Sequence, residues 1–255
     1  MPYEIVTIPC LVDNYAFLIG NADTREAAIV DVPDAAPINA ELARRGWTLT
    51  TALLTHHHWD HVDGLDDLTG REGLVVIGAQ ADAQRLPPLS RAVGEGDTID
   101  VLGAPAHIID VSGHTLGHIA FHMPSLDAVF TADSLMALGC GRLFEGTPAQ
   151  MFESLQKLQS LPEDTVVYSG HEYTATNAKF AATIEPGNST LISRIDVTET
   201  ARKAGTPTVP SSLRLERATN PFLRAHSPQI ADHLGMSGAS AVEVFTEVRK
   251  RRDNF

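Results

Sequence analysis

His56-His57-His58-Trp59-Asp60-His61 follows, after Thr55, on the apolar run Ala52-Leu53-Leu54. Setting His57 and Trp59 aside leaves His-x-His-x-Asp-His, four metal-competent side chains within six positions. Residues two apart on an extended backbone share a face, so His56 and His58 point the same way. A tight turn after Trp59 then aims Asp60 and His61 at a second point nearby. One ion rarely takes more than three or four protein ligands. Four donors this close, behind a strand, predict two ions sharing one pocket, and hence a metalloenzyme.

Working outward, three further apolar runs lead to a polar residue of the same kind. Ile108–Val111 leads through Ser112 and Gly113 to His114, Ala128–Phe130 leads to Asp133, and Thr165–Tyr168 leads through Ser169 and Gly170 to His171. Open α/β sheets gather their sites beyond strand ends. The seven donors divide into His56, His58 and His114 on one ion and Asp60, His61 and His171 on the other. Asp133 is the natural bridge, because a carboxylate has two oxygens. Imidazole and carboxylate donors suit Zn, Fe or Mn, and two ions about 3.5–4 Å apart can activate a shared water to hydroxide at neutral pH. His57 falls on the opposite side of the strand extension and is not expected to be a ligand. For His118 a partner role beside the ligands and plain core packing are both open, and so are a ligand-orienting role and a turn role for Asp31.

Strand-type runs at Glu4–Ile8, Ala16–Ile19, Ala27–Val32, Thr51–Leu54, Val75–Ile77, His107–Val111, Ala128–Phe130 and Thr165–Tyr168 alternate with helical stretches, which predicts a layered α/β fold. The clearest helix is Pro148–Ser160, with Thr147 and Gln150 forming a capping box and Met151, Leu155 and Leu158 on one face. After about residue 172 the texture becomes helical, at Glu172–Thr183, Thr190–Lys203, Ser212–Ala218 and Ser240–Arg252. Val242, Phe245 and Val248 trace the expected buried face of the last. The expected organisation is therefore 1–171 as an α/β domain carrying the metals and 172–255 as a helical domain.

The chain has 255 residues, and 19 Lys and Arg against 32 Asp and Glu give a net charge of −13. That field opposes nucleic acid and anionic membrane as partners. No apolar run approaches a membrane span, and Met1–Cys10 has neither a basic nor an apolar region of a signal peptide. Cys10 and Cys140 are far apart and form no Cys-x-x-Cys pair, in keeping with a reduced, cytoplasmic protein. No heptad or exposed apolar repeat calls for a partner copy, so a monomer is expected.

Thr55-His56-His57-His58-Trp59-Asp60-His61, Gly113-His114-Thr115, Phe130-Thr131-Ala132-Asp133-Ser134, Gly139-Cys140-Gly141-Arg142-Leu143-Phe144-Glu145-Gly146-Thr147 and Gly170-His171-Glu172-Tyr173-Thr174 resemble the metallo-β-lactamase-fold hydrolases, and within them glyoxalase II, the hydroxyacylglutathione hydrolases. The resemblance implies an αββα sandwich with a C-terminal helical domain, and a binuclear site of the same seven ligands. It implies a glutathione thioester as substrate, S-D-lactoylglutathione, cleaved to D-lactate and glutathione, with Asp60 and Asp133 serving through the metal-activated hydroxide. Glutathione would meet Arg142, where relatives usually carry Lys, together with Tyr173, Arg249 and Arg252. Phe144 belongs to the same substrate-binding set but departs from the family, which commonly has Tyr there; without the hydroxyl, substrate binding is expected to be weaker or the contact relocated. The rivals are a mononuclear-iron persulfide dioxygenase on the same scaffold, which needs no second ligand set, and a noncatalytic metal-bearing module, which would be expected to lack ligands.

Overall fold

A computed structural model describes residues 2–255. Among them the elements run β1 (Tyr3–Cys10), β2 (Asn14–Asn21), β3 (Glu26–Val30), α1 (Ala35–Arg45), β4 (Thr48–Leu54), α2 (Trp59–Val62), β5 (Val75–Ala79), β6 (Arg91–Val93), β7 (Thr98–Val101), β8 (Ala104–Asp110), β9 (Ile119–Met123) and β10 (Ala128–Ala132). There follow β11 (Leu135–Met136), β12 (Gly139–Cys140), α3 (Pro148–Gln159), β13 (Val166–Ser169), α4 (Thr174–Ile184), α5 (Ser189–Lys203), β14 (Ser211–Ser212), α6 (Leu213–Thr219), α7 (Pro228–His233) and α8 (Ala241–Asp253). The chain forms two compact units: the residues up to Asp110 with Leu116–Thr131, and Val111–Thr115 with Ala132–Phe255. The change of sequence texture near residue 172 follows a different line from this division by packing. One reason is α3, which packs on α8 through Phe152 and Phe245, their rings 5.7 Å apart.

In the first unit one sheet is ordered β1-β2-β3-β4-β5-β6. Its first three strands are antiparallel and its last three continue in parallel. Parallel strands buried on both faces read as continuous apolar runs, and β4 ends in three fully buried residues, Ala52, Leu53 and Leu54. The antiparallel run β10-β9-β8-β7 faces this sheet, with Phe17 of β2 against Phe130 of β10 at 5.9 Å. Helix α1 lies against β1, where Arg45 pairs with Glu4 at 2.6 Å. It is capped by Asp34, which accepts from Ala36 N–H, and closed by Gly46 in the left-handed conformation. Sequence patterning named no helix here, and α1 carries Pro37 in its first turn. A proline in the first turn removes only an N–H that has no helical partner. It also overlooked β6, β7 and β9, which are three to five residues long.

The second unit holds the β11–β12 hairpin, the β13–β14 pair and the helices from α3 onward. The expected capping box at Thr147 and Gln150 is present, and Met151, Leu155 and Leu158 are fully buried. In α8 the buried face begins at Val244 instead of Val242 and continues through Phe245, Val248 and Arg249. Leu138 at the hairpin tip packs with Ala178, Ala181 and Leu191 of α4 and α5. No described helix is long and apolar enough to cross a membrane.

Candidate metal centre

Four of the expected donors lie in the first unit. Strands β3 and β4 are parallel neighbours, so Asp31 and Thr55-His56 emerge from the same end of the sheet. Asp31 adopts φ +56 and is buried. Its Oδ1 accepts Thr55 N–H at 2.9 Å, while Oδ2 accepts the Thr55 hydroxyl and His61 Nδ1–H, both at 2.8 Å. Of the two readings open for Asp31, the structure thus gives the one in which its carboxylate orients a candidate ligand. The hydrogen bond also fixes His61 in the tautomer whose Nε2 carries the lone pair.

The same logic reaches His56. The Thr55 hydroxyl proton is committed to Asp31, so at 3.0 Å its oxygen accepts His56 Nδ1–H and the lone pair falls on His56 Nε2. That nitrogen is 3.1 Å from His58 Nδ1. Two nitrogens bound tetrahedrally to one zinc lie about 3.3 Å apart, given Zn–N near 2.0–2.1 Å. Asp60 and His61 sit in the single turn α2, which supplies the turn expected there. Asn14 donates to Asp60 O at 3.0 Å and Oδ2 at 3.1 Å, and Asp60 Oδ2 is 4.0 Å from His61 Nε2. Asp31, His56 and His61 are themselves close enough to hold a cation. His57 turns elsewhere, to Asp82 Oδ2 at 2.7 Å, and Arg85 braces that buried carboxylate from its other oxygen. His118 stacks on the His56 ring at 4.5 Å and is fully buried, so packing and contact with a candidate ligand coincide.

The second unit holds His114, Asp133 and His171, all buried. Gly113, at φ +149, turns the chain into His114, and a Cβ there would collide with Met151. Gly170 N–H donates to Ala132 O at 3.0 Å, which brings the His171 loop beside Asp133. His114 Nε2 is 3.4 Å from Asp133 Oδ2, and His171 Nε2 is 3.3 Å from Asp133 Oδ1. Each oxygen of one carboxylate therefore faces a different histidine. His114 Nδ1–H donates to Arg142 O at 2.7 Å, which leaves the lone pair on the nitrogen that faces the carboxylate. A lone pair opposed to a carboxylate oxygen repels it unless a proton or a metal cation lies between them. The donor chemistry therefore fits a divalent metal.

The residues expected to meet substrate all belong to the second unit. Arg142 is exposed, its guanidinium 5.7 Å from the Phe144 ring, and Phe144 stands edge-on to His114 at 5.3 Å. Tyr173 stacks flat on His171 at 4.6 Å. Arg252 is half-buried between Phe180 and Phe255 and donates to Asn177 Oδ1 at 3.3 Å. Burial, and then the neighbouring Arg249, pull its pKa below the usual arginine value. Arg249 differs from the expectation. It is only 5 % exposed, donates to Cys140 O at 3.0 Å and Gly141 O at 3.4 Å, and pairs with Asp253 at 2.8 Å. Its charge is committed to holding the Gly139-Cys140-Gly141 turn. Burial pushes the Cys140 thiol up to about 11 and the Cys10 thiol up to about 12, so neither is a ready thiolate.

Sequence reasoning passed over Asn14, Asp82, Glu172, Glu216 and Asn220. Glu172 accepts from Thr208 N–H at 2.8 Å, and so ties the His171 loop to the segment before β14. No spacing rule marks such residues, because their partners lie tens of positions away.

Comparison with known proteins gives two family matches: the metallo-β-lactamase superfamily over residues 12–171, and the hydroxyacylglutathione hydrolase C-terminus over residues 172–255. A hydroxyacylglutathione hydrolase of Ruegeria pomeroyi is 62% identical over 255 residues, covering 100% of both chains. One of a Jannaschia species is 61% identical, covering 99% of this chain and 98% of that one. Among solved structures, ETHE1 from Myxococcus xanthus superposes with a TM-score of 0.66 at 24% identity, over 98% of this chain and 90% of that one. This last likeness concerns the fold alone.

Proposed function

Because the chain belongs to the hydroxyacylglutathione hydrolases of the metallo-β-lactamase superfamily, we propose that it hydrolyses S-D-lactoylglutathione to D-lactate and glutathione. His56, His58 and His114 would hold one divalent ion and Asp60, His61 and His171 a second, with the Asp133 carboxylate available to both. The observation that carries this is the Asp133 carboxylate, with one histidine nitrogen opposite each of its oxygens. Zinc suits the donors best, with iron or manganese as alternatives. Bound there, the ions supply an activated water at neutral pH and polarise the thioester carbonyl.

The chain's own residues do the rest. Asp31 and the Arg142 carbonyl keep His61 and His114 in the tautomers that bind metal. Arg142 and Arg252 present positive charge to the carboxylates of glutathione, on a chain whose net charge of −13 would otherwise repel them. Tyr173, stacked on His171, borders the same region. Arg249 acts from behind the turn that carries Arg142. The departing thiol, with a pKa near 8.5, leaves as its anion, so no protein acid is required. In this arrangement 1–171 carries the metal ligands and 172–255 completes the thiol site. A monomer working in the cytoplasm fits the free cysteines and the acidic charge.

Purified protein should hydrolyse S-D-lactoylglutathione, followed at the thioester absorbance, with close to two metals per chain and activity abolished by chelation. A fully metallated protein with no turnover on this thioester would refute the substrate.

A further inference from the structure

The β11–β12 hairpin begins two residues after Asp133 and ends two residues before Arg142. Its two turn residues are Ala137 and Leu138, and Leu138 sits at φ +58, a left-handed conformation that leucine avoids. Side chains of α4 and the end of α6 meet four backbone groups of this tip. Leu138 N–H donates to Glu216 Oε2 at 2.9 Å. Asn220 Nδ2 donates to Met136 O at 3.0 Å and Gly139 O at 2.9 Å, and Asn177 Nδ2 donates to Ala137 O at 3.0 Å. Glu216 and Asn220 are fully buried. The carboxylate also accepts from Asn220 at 3.2 Å, from Ser211 at 2.5 Å and from Arg194. Burying an ion pair with this many polar groups stabilises less than an apolar contact of the same volume. What the network specifies is one conformation of the hairpin.

The base of the hairpin is equally constrained. Gly141 N–H donates to Ser134 O at 3.1 Å, and a Cβ on Gly141 would lie 1.9 Å from Asp133 O. The two ends of the hairpin therefore pass in contact, one carrying Asp133 and the other the carbonyl that receives His114 Nδ1–H. A displacement of the tip moves both.

We propose that Asn220 and Glu216 are positioning residues of the metal centre. By clamping the hairpin tip they set the placement of Asp133 and of the Arg142 carbonyl, and with it the affinity of the proposed centre for divalent metal. The inference rests on Asp133 and His114 being metal ligands and is independent of which thioester is cleaved.

The test compares Asn220→Ala with Leu213→Ala, a fully buried α6 residue whose side chain is not part of the clamp. Zinc is titrated into apo protein against a chromophoric chelator, with the thermal midpoint measured alongside, then kcat and KM for S-D-lactoylglutathione. Both variants lose thermal stability, but only Asn220→Ala weakens zinc binding, by about tenfold or more. Its kcat falls by a similar factor while KM changes little. Glu216→Gln shifts both quantities the same way and less. Wild-type zinc affinity in Asn220→Ala, with kcat falling no further than in Leu213→Ala, overturns the proposal. Should the variants fail to fold, the wild type decides. Coupling is reciprocal, so zinc added to apo protein must slow amide exchange at Leu138, and unchanged exchange overturns the proposal equally. Weakened zinc binding in a protein that never cleaves the thioester would leave the clamp standing and sink the substrate.

Discussion

The two compact units contribute to the proposed centre in opposite ways. In the first, four donors lie within six residues and one buried carboxylate, Asp31, organises the cluster through Thr55 and His61. In the second, three donors are spread from position 114 to position 171, and His114 is held by a backbone carbonyl instead of a side chain. A contiguous cluster can be steadied by one group, because the chain itself keeps its members together. Dispersed donors need the fold to bring them in, so the support is distributed over a hairpin, a glycine contact and the helices behind them. The first arrangement concentrates vulnerability in a few side chains, and the second hides it in packing.

The largest effect should come from Asp133→Asn, which keeps the shape and removes the charge that faces two histidines. We expect loss of bound metal and a fall in kcat/KM on the order of 10³ or more, equivalent to about 4 kcal/mol. Metal analysis alongside turnover checks it. A variant that keeps both ions would show that Asp133 is not the bridge. Next comes Asp31→Ala in the first unit. Removing the hydrogen-bond partner of a metal-binding histidine typically costs about 10–100-fold in affinity or activity, and chelator competition would read it. The contrast is sharpened by Arg142→Ala. There the tautomer of His114 should survive, since it depends on a carbonyl that the substitution leaves in place. KM should rise several-fold, increasingly so at low salt where an exposed charge acts over a longer range, and kcat should hold. A large drop in metal content in this variant would erase the distinction between the units.

Phe144→Tyr bears on the same surface. Restoring a hydroxyl beside an exposed ring offers substrate one neutral hydrogen bond, about 0.5–1.5 kcal/mol, so KM should fall by about two- to tenfold. Steady-state kinetics on the one thioester suffice, and an unchanged KM would mean that the contact has been relocated.

The same contrast explains what could be read from the amino-acid order. His56, His58, Asp60 and His61 announce themselves by spacing, and α3 announces itself by a capping box and an apolar face. His114, Asp133 and His171 became visible only through the runs that precede them and through resemblance to a family. Asn14, Asp82, Glu216 and Asn220 left no trace, because a side chain whose partner lies 25 to 84 positions away obeys no local rule. Arg249 shows the reverse case. Its place in a basic cluster near the end of the chain marks it as a surface cation, yet the neighbouring phenylalanine and the Cys140 carbonyl draw it inside.

The smallest expected effect lies outside the centre, in α1 of the first unit. The neighbouring guanidinium groups of Arg44 and Arg45 hold the Glu41 carboxyl down at about 2, against an ordinary value of 4.5, with Arg44 the larger influence and partial burial opposing both. Since the folded value is the lower one, the pair stabilises the folded state fully above pH 4.5 and loses that contribution as the pH falls toward 2. Arg45 also reaches Glu4 of β1, so protonation of Glu41 loosens one of the ties between α1 and the sheet without cutting it. Ion pairs this near the surface are screened, and the expected stake is under about 1 kcal/mol. Glu41→Gln should therefore lower the thermal midpoint slightly at neutral pH and flatten the acid limb of the stability curve below pH 4.5. It should leave metal content and turnover untouched. A steeper acid limb in the variant would mean that Glu41 is strained by its surroundings rather than stabilised by its two arginines.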